Sequence, residues 1–253
     1  MEAAMEPKKS WYRNWFNSPY YHLLYFQRDE QEAAAFINSL LLKLQPAATA
    51  AMLDVACGRG RHSIYLASKG YFVTGIDISE ESIEEALQHA HNHLEFFVHD
   101  MRLPFRMNYY DYVFNFFTSF GYFRTRREHD NAIRTISQSL KPGGVFVIDY
   151  LNTHYVEDHL VYKSEIEKEG VTFDITRWLD ETHFYKKIIV EDERFLDEPL
   201  VYTEKVAKFS LGDFNDMFAF HGLQIQEVFG DYTLGNYDIK HSPRLIIVAK
   251  KMK

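Results

Sequence analysis

One short stretch of the chain combines a carboxylate with a glycine turn in a pattern that can hold a ligand. Residues 53–62 have the sequence LDVACGRGRH, which joins an apolar strand ending in an acid to a tight turn and then to a helix. Gly58 and Gly60 lack a Cβ, so the backbone can adopt positive φ and let a ligand lie against main-chain N–H groups at the helix start. The stretch therefore predicts a loop that binds a nucleotide-type cofactor.

Three aspartates end successive predicted strands, namely Asp54, Asp77 and Asp100. In a doubly wound sheet, ligands bind outside the carboxyl ends of the strands, so the three carboxylates should share one rim. Asp77 follows the glycine loop by about one βαβ step, where a carboxylate can accept hydrogen bonds from two ribose hydroxyls. Asp100 can accept from an exocyclic adenine amine, with the N–H of Met101 facing a ring nitrogen. This spacing predicts a pocket for adenosine.

The elements that position these residues alternate between strand and helix. Apolar runs at 71–77, 94–100, 110–117 and 145–149 predict strands, with helices from Ser79 to about His91 and from about Arg127 to Leu140. Such alternation indicates parallel βαβ units and a doubly wound α/β sheet. Before the glycine loop, the sequence predicts two short helical pieces broken at Pro19 and a longer helix, which Asp29 can cap and Pro46 ends.

From about residue 160 the pattern changes to short segments with alternating polar and apolar positions. The segments 161–167, 171–179, 184–194 and 201–209 are typical of antiparallel hairpins with one solvated face. Ser210 then caps a predicted helix to about His221, and two strands follow at 223–228 and 244–250. We therefore expect one α/β domain that carries an antiparallel β insertion after the fifth strand.

Composition narrows the class of function. The chain has 253 residues and a formal net charge of −8, without a basic stretch to bind nucleic acid. Cys57 is its single cysteine, so no internal disulfide or multi-thiolate metal site is possible, and we interpret it as a small filler of the loop. Neither a signal peptide nor a bilayer-length apolar run is visible. These features predict a soluble, cytoplasmic protein without a membrane or nucleic-acid partner.

Taken together, these motifs resemble those of the class I S-adenosylmethionine-dependent methyltransferases. The segment 54–60 resembles the acid-x-Gly-x-Gly-x-Gly loop of that family, with Ala56 in place of the first glycine. Asp77 matches the ribose-binding acid, Asp100 and Met101 match the adenine site, and 140–144 matches the turn before the fifth strand. The resemblance spans roughly residues 50–150. It implies a Rossmann-like sheet of seven strands and S-adenosyl-L-methionine as cofactor.

The resemblance also implies a set of cofactor-binding residues. They are Asp54, Ala56, Gly58, Gly60, Arg61, Asp77, Ile78, Asp100, Met101, Asn115 and Tyr21. Because the cofactor's sulfonium is already activated, such an enzyme mainly aligns the acceptor with the methyl group. No nucleophilic protein residue is required.

The acceptor is predicted to be a small molecule. Segment 115–122 lacks the Asn/Asp-Pro-Pro-aromatic motif of amino-methylating DNA enzymes, and the chain is more similar to glycine and sugar-amine N-methyltransferases. That subgroup implies an N-terminal helical lid at 1–45, a core at 46–155 and 210–253, and a β insertion at 156–209 that roofs the pocket. The predicted lid aromatics are Trp11, Tyr12, Tyr20 and Tyr21.

Residues that follow strand ends on the same rim should lie near the acceptor. They are Phe117, Thr118, Tyr122, Tyr150 and Asn152. Tyr122 and His154 are the candidates for accepting or relaying the acceptor's proton. For each of these residues, a purely structural role is the simpler interpretation.

Two other functions remain compatible with the sequence. An NAD-type oxidoreductase shares this sheet, but the loop lacks the third glycine of the dinucleotide motif. A non-catalytic protein that only binds S-adenosylmethionine would carry the same cofactor residues. No metal site is expected, because alternate residues such as His89, His91 and His93 point in different directions on a helix. The choice between nitrogen and oxygen as acceptor atom and the oligomeric state stay open.

Overall fold

The structure is a computed structural model that describes residues 11–25 and 30–252. Two short helices, α1 (Trp11–Phe16) and α2 (Pro19–Tyr25), precede a longer helix, α3 (Glu30–Leu44). The break between α1 and α2 falls where the sequence predicts it, since proline is tolerated in the first turn of a helix and not in its interior. The predicted cap Asp29 lies outside the described residues.

Strands and helices alternate through the core as predicted. The core elements are β1 (Ala51–Val55), α4 (Arg61–Ser68), β2 (Phe72–Asp77), α5 (Glu80–Leu87), β3 (Leu94–Val98), β4 (Tyr110–Asn115), α6 (Arg126–Ser139), β5 (Leu140–Leu151), α7 (Thr153–Asp158), and, after an insertion, α8 (Leu211–Phe220), β10 (Leu223–Phe229) and β11 (Arg244–Lys251). The sequence did not predict α7.

The core strands form one seven-stranded sheet in the order β10-β11-β5-β4-β1-β2-β3. The pairs from β5 to β3 are parallel, and β11 runs antiparallel to both β5 and β10. Because these strands are parallel, the loops after β1, β2 and β4 lie at one rim, and the reversal of strand order between β1 and β4 opens a crevice there. The predicted Rossmann-like, doubly wound fold is confirmed.

Helices cover both faces of this sheet. One buried cluster includes Ile133 of α6 and Phe214 of α8 packed against strand residues such as Phe146. The other includes Ile37 of α3 and Leu66 of α4. With both faces buried, the central strands consist of almost continuous apolar residues, as parallel sheets require.

The insertion forms a separate antiparallel sheet, also as predicted. Its strands are β6 (Lys163–Lys168), β7 (Val171–Leu179), β8 (His183–Glu191) and β9 (Leu200–Ala207), in sequential order. Its apolar face, with Phe173 and Ile188, packs in one cluster with Trp15 of α1 and Leu24 of α2. The N-terminal helices are therefore held against the insertion by a small hydrophobic core of their own.

One local prediction was wrong. The helix α5 ends at Leu87, and His91 forms an antiparallel bridge with Leu94, so the run from His89 to His93 lies in a turn. Our argument about side-chain directions on a helix therefore does not apply. Within 11–25 and 30–252, no group of three or more His, Cys, Asp or Glu side chains is arranged to hold a metal ion. None of the described helices has the length and apolarity needed to cross a bilayer.

Candidate functional site

A cavity of about 1150 Å³ opens at the carboxyl ends of β1, β2 and β4. This volume exceeds the ~300–1,000 Å³ of typical small-molecule pockets, so one bound molecule need not fill it. The predicted site residues that line it are Tyr21, Ala56, Gly58, Arg61, Asp77, Ile78, Asp100, Met101, Phe117, Thr118 and Tyr122. Residues from five separate chain segments thus meet at the rim where the aspartates were expected.

The two loop glycines serve different purposes. A Cβ on Gly58, whose φ is +56°, would meet no atom within 4 Å, and Gly58 lines the cavity. A Cβ on Gly60, whose φ is +82°, would lie 2.6 Å from Cζ of Phe96. Gly60 is not part of the cavity wall, so its predicted contact with a ligand is replaced by packing against β3. Gly58 alone keeps space open in the cavity.

Ala56, where the family pattern has glycine, also has a positive φ of 60°. An L-residue in this left-handed region costs roughly 1–2 kcal/mol. The family's glycine is therefore explained by backbone conformation. The alanine at this position is tolerated because its strain is small.

Asp77 is held in place by the backbone around it. Its Oδ2 accepts a hydrogen bond from the N–H of Gly58, and its Oδ1 accepts one from the N–H of Ser79. Both N···O distances are 2.8 Å. Burial raises the pKa of this carboxyl, while these N–H groups act in the opposite direction. An ionised carboxylate offers about four acceptor sites, so Asp77 can still accept from a hydroxyl group of a ligand in the cavity.

Asp54 lies beneath the cavity, outside its wall, contrary to the prediction. It is only 1% exposed, and its Oδ2 accepts a hydrogen bond of 2.6 Å from the Ser63 hydroxyl. Burial raises the pKa of Asp54 to about 7, with a further contribution from the charge of Asp77. The acid at the end of β1 therefore ties this strand to the first turn of α4.

Asp100 is oriented by an ion pair that the sequence analysis missed. The Arg102 guanidinium donates to both carboxylate oxygens of Asp100, with Nη2 at 2.6 Å from Oδ2. The Nη1 of Arg102 in turn donates to Glu128 at 2.6 Å. This network fixes the Asp100 carboxylate at the cavity wall.

The loop after β4 has an unusual backbone that a buried ion pair stabilises. Phe117 and Thr118 both have a φ of 57°. The Phe117 N–H donates to Oδ2 of Asp149, the Arg244 Nε donates to its Oδ1 at 2.7 Å, and the Arg244 Nη2 donates to the Thr118 hydroxyl at 2.9 Å. Residues in sparsely populated backbone regions cluster at functional sites, and here they present Phe117 and Thr118 to the cavity.

The sequence analysis missed both members of this ion pair. Asp149 lies near the carboxyl end of the fifth strand, as the other three aspartates do in theirs, and that signal was available. Arg244 begins the last strand and gave no signal.

His22 and Arg59 also line the cavity and were not predicted as site residues. Burial, together with the nearby Arg59 charge, lowers the pKa of His22 to about 4. His22 is therefore neutral at neutral pH. Arg59 forms an ion pair of 2.8 Å with Glu85.

The N-terminal helices contribute Tyr21 to the cavity wall, and the Phe16 ring meets that of Tyr122 edge to face at 5.3 Å. Tyr20, a predicted lid residue, lies instead against the insertion, where its hydroxyl donates to Asp192 at 3.4 Å. The side chains of Trp11 and Tyr12 are outside the described part of the structure.

Besides Asp54 and Gly60, four predicted site residues lie away from the cavity wall. Asn115 is fully buried and donates to the Val55 carbonyl at 2.9 Å. Tyr150 is fully buried and its hydroxyl donates to the Ala207 carbonyl. Asn152 donates to the carbonyls of Ile239 and Ser242.

His154 is the fourth of these residues. It is exposed on α7, which begins just after the carboxyl end of β5. Proximity to a strand end was therefore not sufficient, because these side chains point into the core, into neighbouring loops or to solvent.

Comparison with known proteins agrees with this geometry. Residues 52–144 match the model of a methyltransferase domain family. Glycine N-methyltransferase from Rattus norvegicus is 28% identical over 149 residues, which cover 49% of this chain and 51% of that protein. The dTDP-3-amino-3,4,6-trideoxy-alpha-D-glucopyranose N,N-dimethyltransferase of Streptomyces venezuelae is 33% identical over 135 residues, covering 51% and 54%. The chain spans about half the length of these two relatives.

A solved structure shares the whole fold. It is described as an S-adenosylmethionine-dependent methyltransferase from Clostridium acetobutylicum ATCC 824, and the match covers 92% of this chain and 96% of that one. The TM-score is 0.78 at 18% sequence identity. The two molecules therefore share the fold over almost their whole lengths.

Proposed function

We propose that this chain, which carries a class I S-adenosylmethionine-dependent methyltransferase domain, transfers the methyl group of that cofactor to a nitrogen of a small molecule. The observation that supports this most directly is the joint geometry of Gly58 and Asp77. One glycine keeps the cavity open, and its N–H fixes a carboxylate that still has acceptor sites for ligand hydroxyls.

The residues present fit the cofactor. In our proposal Asp77 accepts the ribose hydroxyls, Asp100 and the Met101 N–H hold the adenine, and the loop at Gly58 faces the methionine part. Ile78 and Arg61 complete the wall around it. When bound, the cofactor supplies a methyl group on a positively charged sulfur.

The chain's own contribution to the reaction is alignment and exclusion of water. The rings of Tyr21, Phe117 and Tyr122 line the cavity, and aromatic faces attract a sulfonium or ammonium cation. Holding the acceptor nitrogen in line with the methyl carbon can account for a large share of the rate acceleration. Segment 1–45 would act as a lid and 156–209 as a roof.

The acceptor class follows from the relatives and the cavity. Both named relatives are N-methyltransferases, which favours nitrogen over oxygen. The cavity has room for a small molecule beside the cofactor. No observation favours an NAD-type oxidoreductase or a protein that binds the cofactor without turnover.

Isothermal titration calorimetry with S-adenosylhomocysteine tests the cofactor assignment. We expect saturable binding of one molecule per chain, and no comparable binding of NAD, which serves as the matched dinucleotide control. Transfer of a radiolabelled methyl group to a mixture of small amines then tests the reaction. Folded protein that binds NAD and not S-adenosylhomocysteine would disprove the proposal.

A further inference from the structure

A second, smaller cavity adjoins the first at the roof of the site. Its volume is about 280 Å³, near the lower end of the ~300–1,000 Å³ range for small-molecule pockets. Tyr21, Tyr25 and Tyr122, together with the loop residues Phe117 and Thr118, line both cavities. The two cavities therefore meet at these five residues, so a group held in the second cavity lies next to the first.

Glu204 of β9 is the one carboxylate among the described residues that line this smaller cavity. The residue is only 8% exposed. Its Oε1 accepts two hydrogen bonds, one from the Trp15 indole N–H and one from the Tyr25 hydroxyl, both 2.7 Å long. The N-terminal helices thus position a carboxylate that the β insertion supplies.

Among residues 11–25 and 30–252, the hydrogen-bond donors to Glu204 bond to Oε1 and none bonds to Oε2. The Nζ of Lys186 lies 4.0 Å from Oε2, within the range of an ion pair and beyond that of a hydrogen bond. Lys186 does not line the cavity, and its Nζ donates to the Tyr25 hydroxyl. A buried carboxylate is costly unless hydrogen bonds or a partner compensate it, so Oε2 is suited to a donor that enters from the cavity.

The remaining charge in the cavity wall is already compensated. Arg244 forms a 2.7 Å ion pair with Asp149, which is fully buried. This pair is neutral as a unit, so it does not select an anionic acceptor. The tyrosine rings offer their negative faces to a cation. The rings and Oε2 of Glu204, which Lys186 approaches only to 4.0 Å, together favour a positively charged donor beside Glu204.

We propose that Glu204 binds the ammonium group of the acceptor and takes its proton, so that this chain methylates small cationic amines. This inference rests on the proposed function and names the acceptor-binding residue within it.

The proposed step is balanced in atoms and charge. One proton passes from the acceptor ammonium to Oε2 of Glu204, which leaves a lone pair on nitrogen. That lone pair forms the new N–C bond with the methyl carbon of S-adenosylmethionine. The C–S bond breaks, and its electron pair stays on sulfur as a neutral thioether. The product is an N-methylammonium ion, and Glu204 releases its proton to water when the product leaves.

The test compares amines with alcohols of the same size. Thermal stability of the complex with S-adenosylhomocysteine is measured with glucosamine against glucose, and with ethanolamine against ethylene glycol. We expect each amine, and not its uncharged counterpart, to stabilise the wild-type complex. The amines are then used as acceptors of a radiolabelled methyl group.

The decisive variant is Glu204→Gln, which keeps an oxygen for Trp15 and Tyr25 and removes the base. We expect methyl transfer to fall by roughly 10²-fold or more, the usual range for loss of a general base, with unchanged S-adenosylhomocysteine affinity. The matched control is Glu165→Gln, the same change at an exposed site on β6 of the same sheet. This control should keep the wild-type rate.

Three results would separate the possible failures. A wild-type rate in Glu204→Gln would overturn the inference. So would a wild-type complex that binds no amine better than its alcohol counterpart. If the wild-type protein does not bind S-adenosylhomocysteine, this result would instead overturn the proposed function itself.

Discussion

At the scale of single residues, cofactor recognition should depend most on Asp77. Its carboxylate joins the glycine loop to the start of α5 through the N–H groups of Gly58 and Ser79. It is the one predicted acid that both lines the cavity and is bonded to the glycine loop, whereas Asp54 lies beneath it and Asp100 is held by Arg102.

We predict that Asp77→Asn weakens binding of S-adenosylhomocysteine by about 10- to 100-fold. The amide keeps the shape of the side chain and loses the charge-assisted hydrogen bonds to ribose, each worth roughly 1.5–3 kcal/mol. Calorimetry measures the change. Asp216→Asn, at an exposed position of α8, is the control and should bind as the wild type does. Equal affinity for S-adenosylhomocysteine in both variants would show that Asp77 does not bind the ribose.

At the scale of elements, the turn between β1 and α4 has two neighbouring positions with different constraints. Both glycines have positive φ, so any side chain at either position is strained. Gly58 faces open space in the cavity, whereas Gly60 faces the Phe96 ring from β3. Packing against β3 therefore restricts the residue type at Gly60, whereas ligand binding restricts it at Gly58.

Paired alanine substitutions should separate these constraints. Each variant carries a backbone cost of about 1–2 kcal/mol from the positive φ. Gly60→Ala should lose about 1–3 kcal/mol more in free energy of unfolding, because its Cβ overlaps Phe96. Gly58→Ala should lose less stability but most of its affinity for S-adenosylhomocysteine, because its Cβ enters the cavity.

Gly222→Ala is the matched control for this pair. Gly222 also has a positive φ, of 73°, and a Cβ there meets no atom within 4 Å. It follows α8, away from the residues that line the cavity. This variant should show the backbone cost alone, with normal ligand binding. Thermal unfolding measures the stability of the three variants, and calorimetry measures their binding of S-adenosylhomocysteine. Normal binding of this ligand by Gly58→Ala would contradict our interpretation.

At the scale of the whole molecule, the buried Asp54 couples folding to pH. Burial raises its pKa in the native state to about 7, whereas in the unfolded chain the value is near the ordinary 3.8. Between about pH 4 and pH 7, Asp54 therefore binds a proton in the native state that it does not bind in the unfolded chain. The contribution of Asp54 to stability is complete below about pH 4 and is lost as the pH rises through 7.

We predict that Asp54→Asn becomes more stable relative to the wild type as the pH rises from 4 to 7. The difference in free energy of unfolding should change by at most about 1.4 kcal/mol per pH unit. The amide can still accept the Ser63 hydroxyl. Denaturant unfolding at a series of pH values measures the difference, and the exposed Asp216→Asn gives the baseline. A pH-independent difference would show that Asp54 has an ordinary pKa in the native state.

The sequence by itself determined the element order apart from α7, the glycine turn and the shared rim of Asp77 and Asp100. These features follow from local periodicity and from the rule that parallel strands joined by helices present their carboxyl ends together. It also predicted the antiparallel insertion, because alternation of polar and apolar residues is a local property.

Only the tertiary structure decided which side chains reach the cavity. Tyr150, Asn152 and His154 follow the same rim in sequence, yet they bond to distant carbonyls or lie on the surface. Conversely, Glu204 meets Trp15 across 189 positions of the chain, and Arg244 meets Asp149 across 95. Such pairings depend on how separate elements pack against each other, so no local pattern in the sequence encodes them.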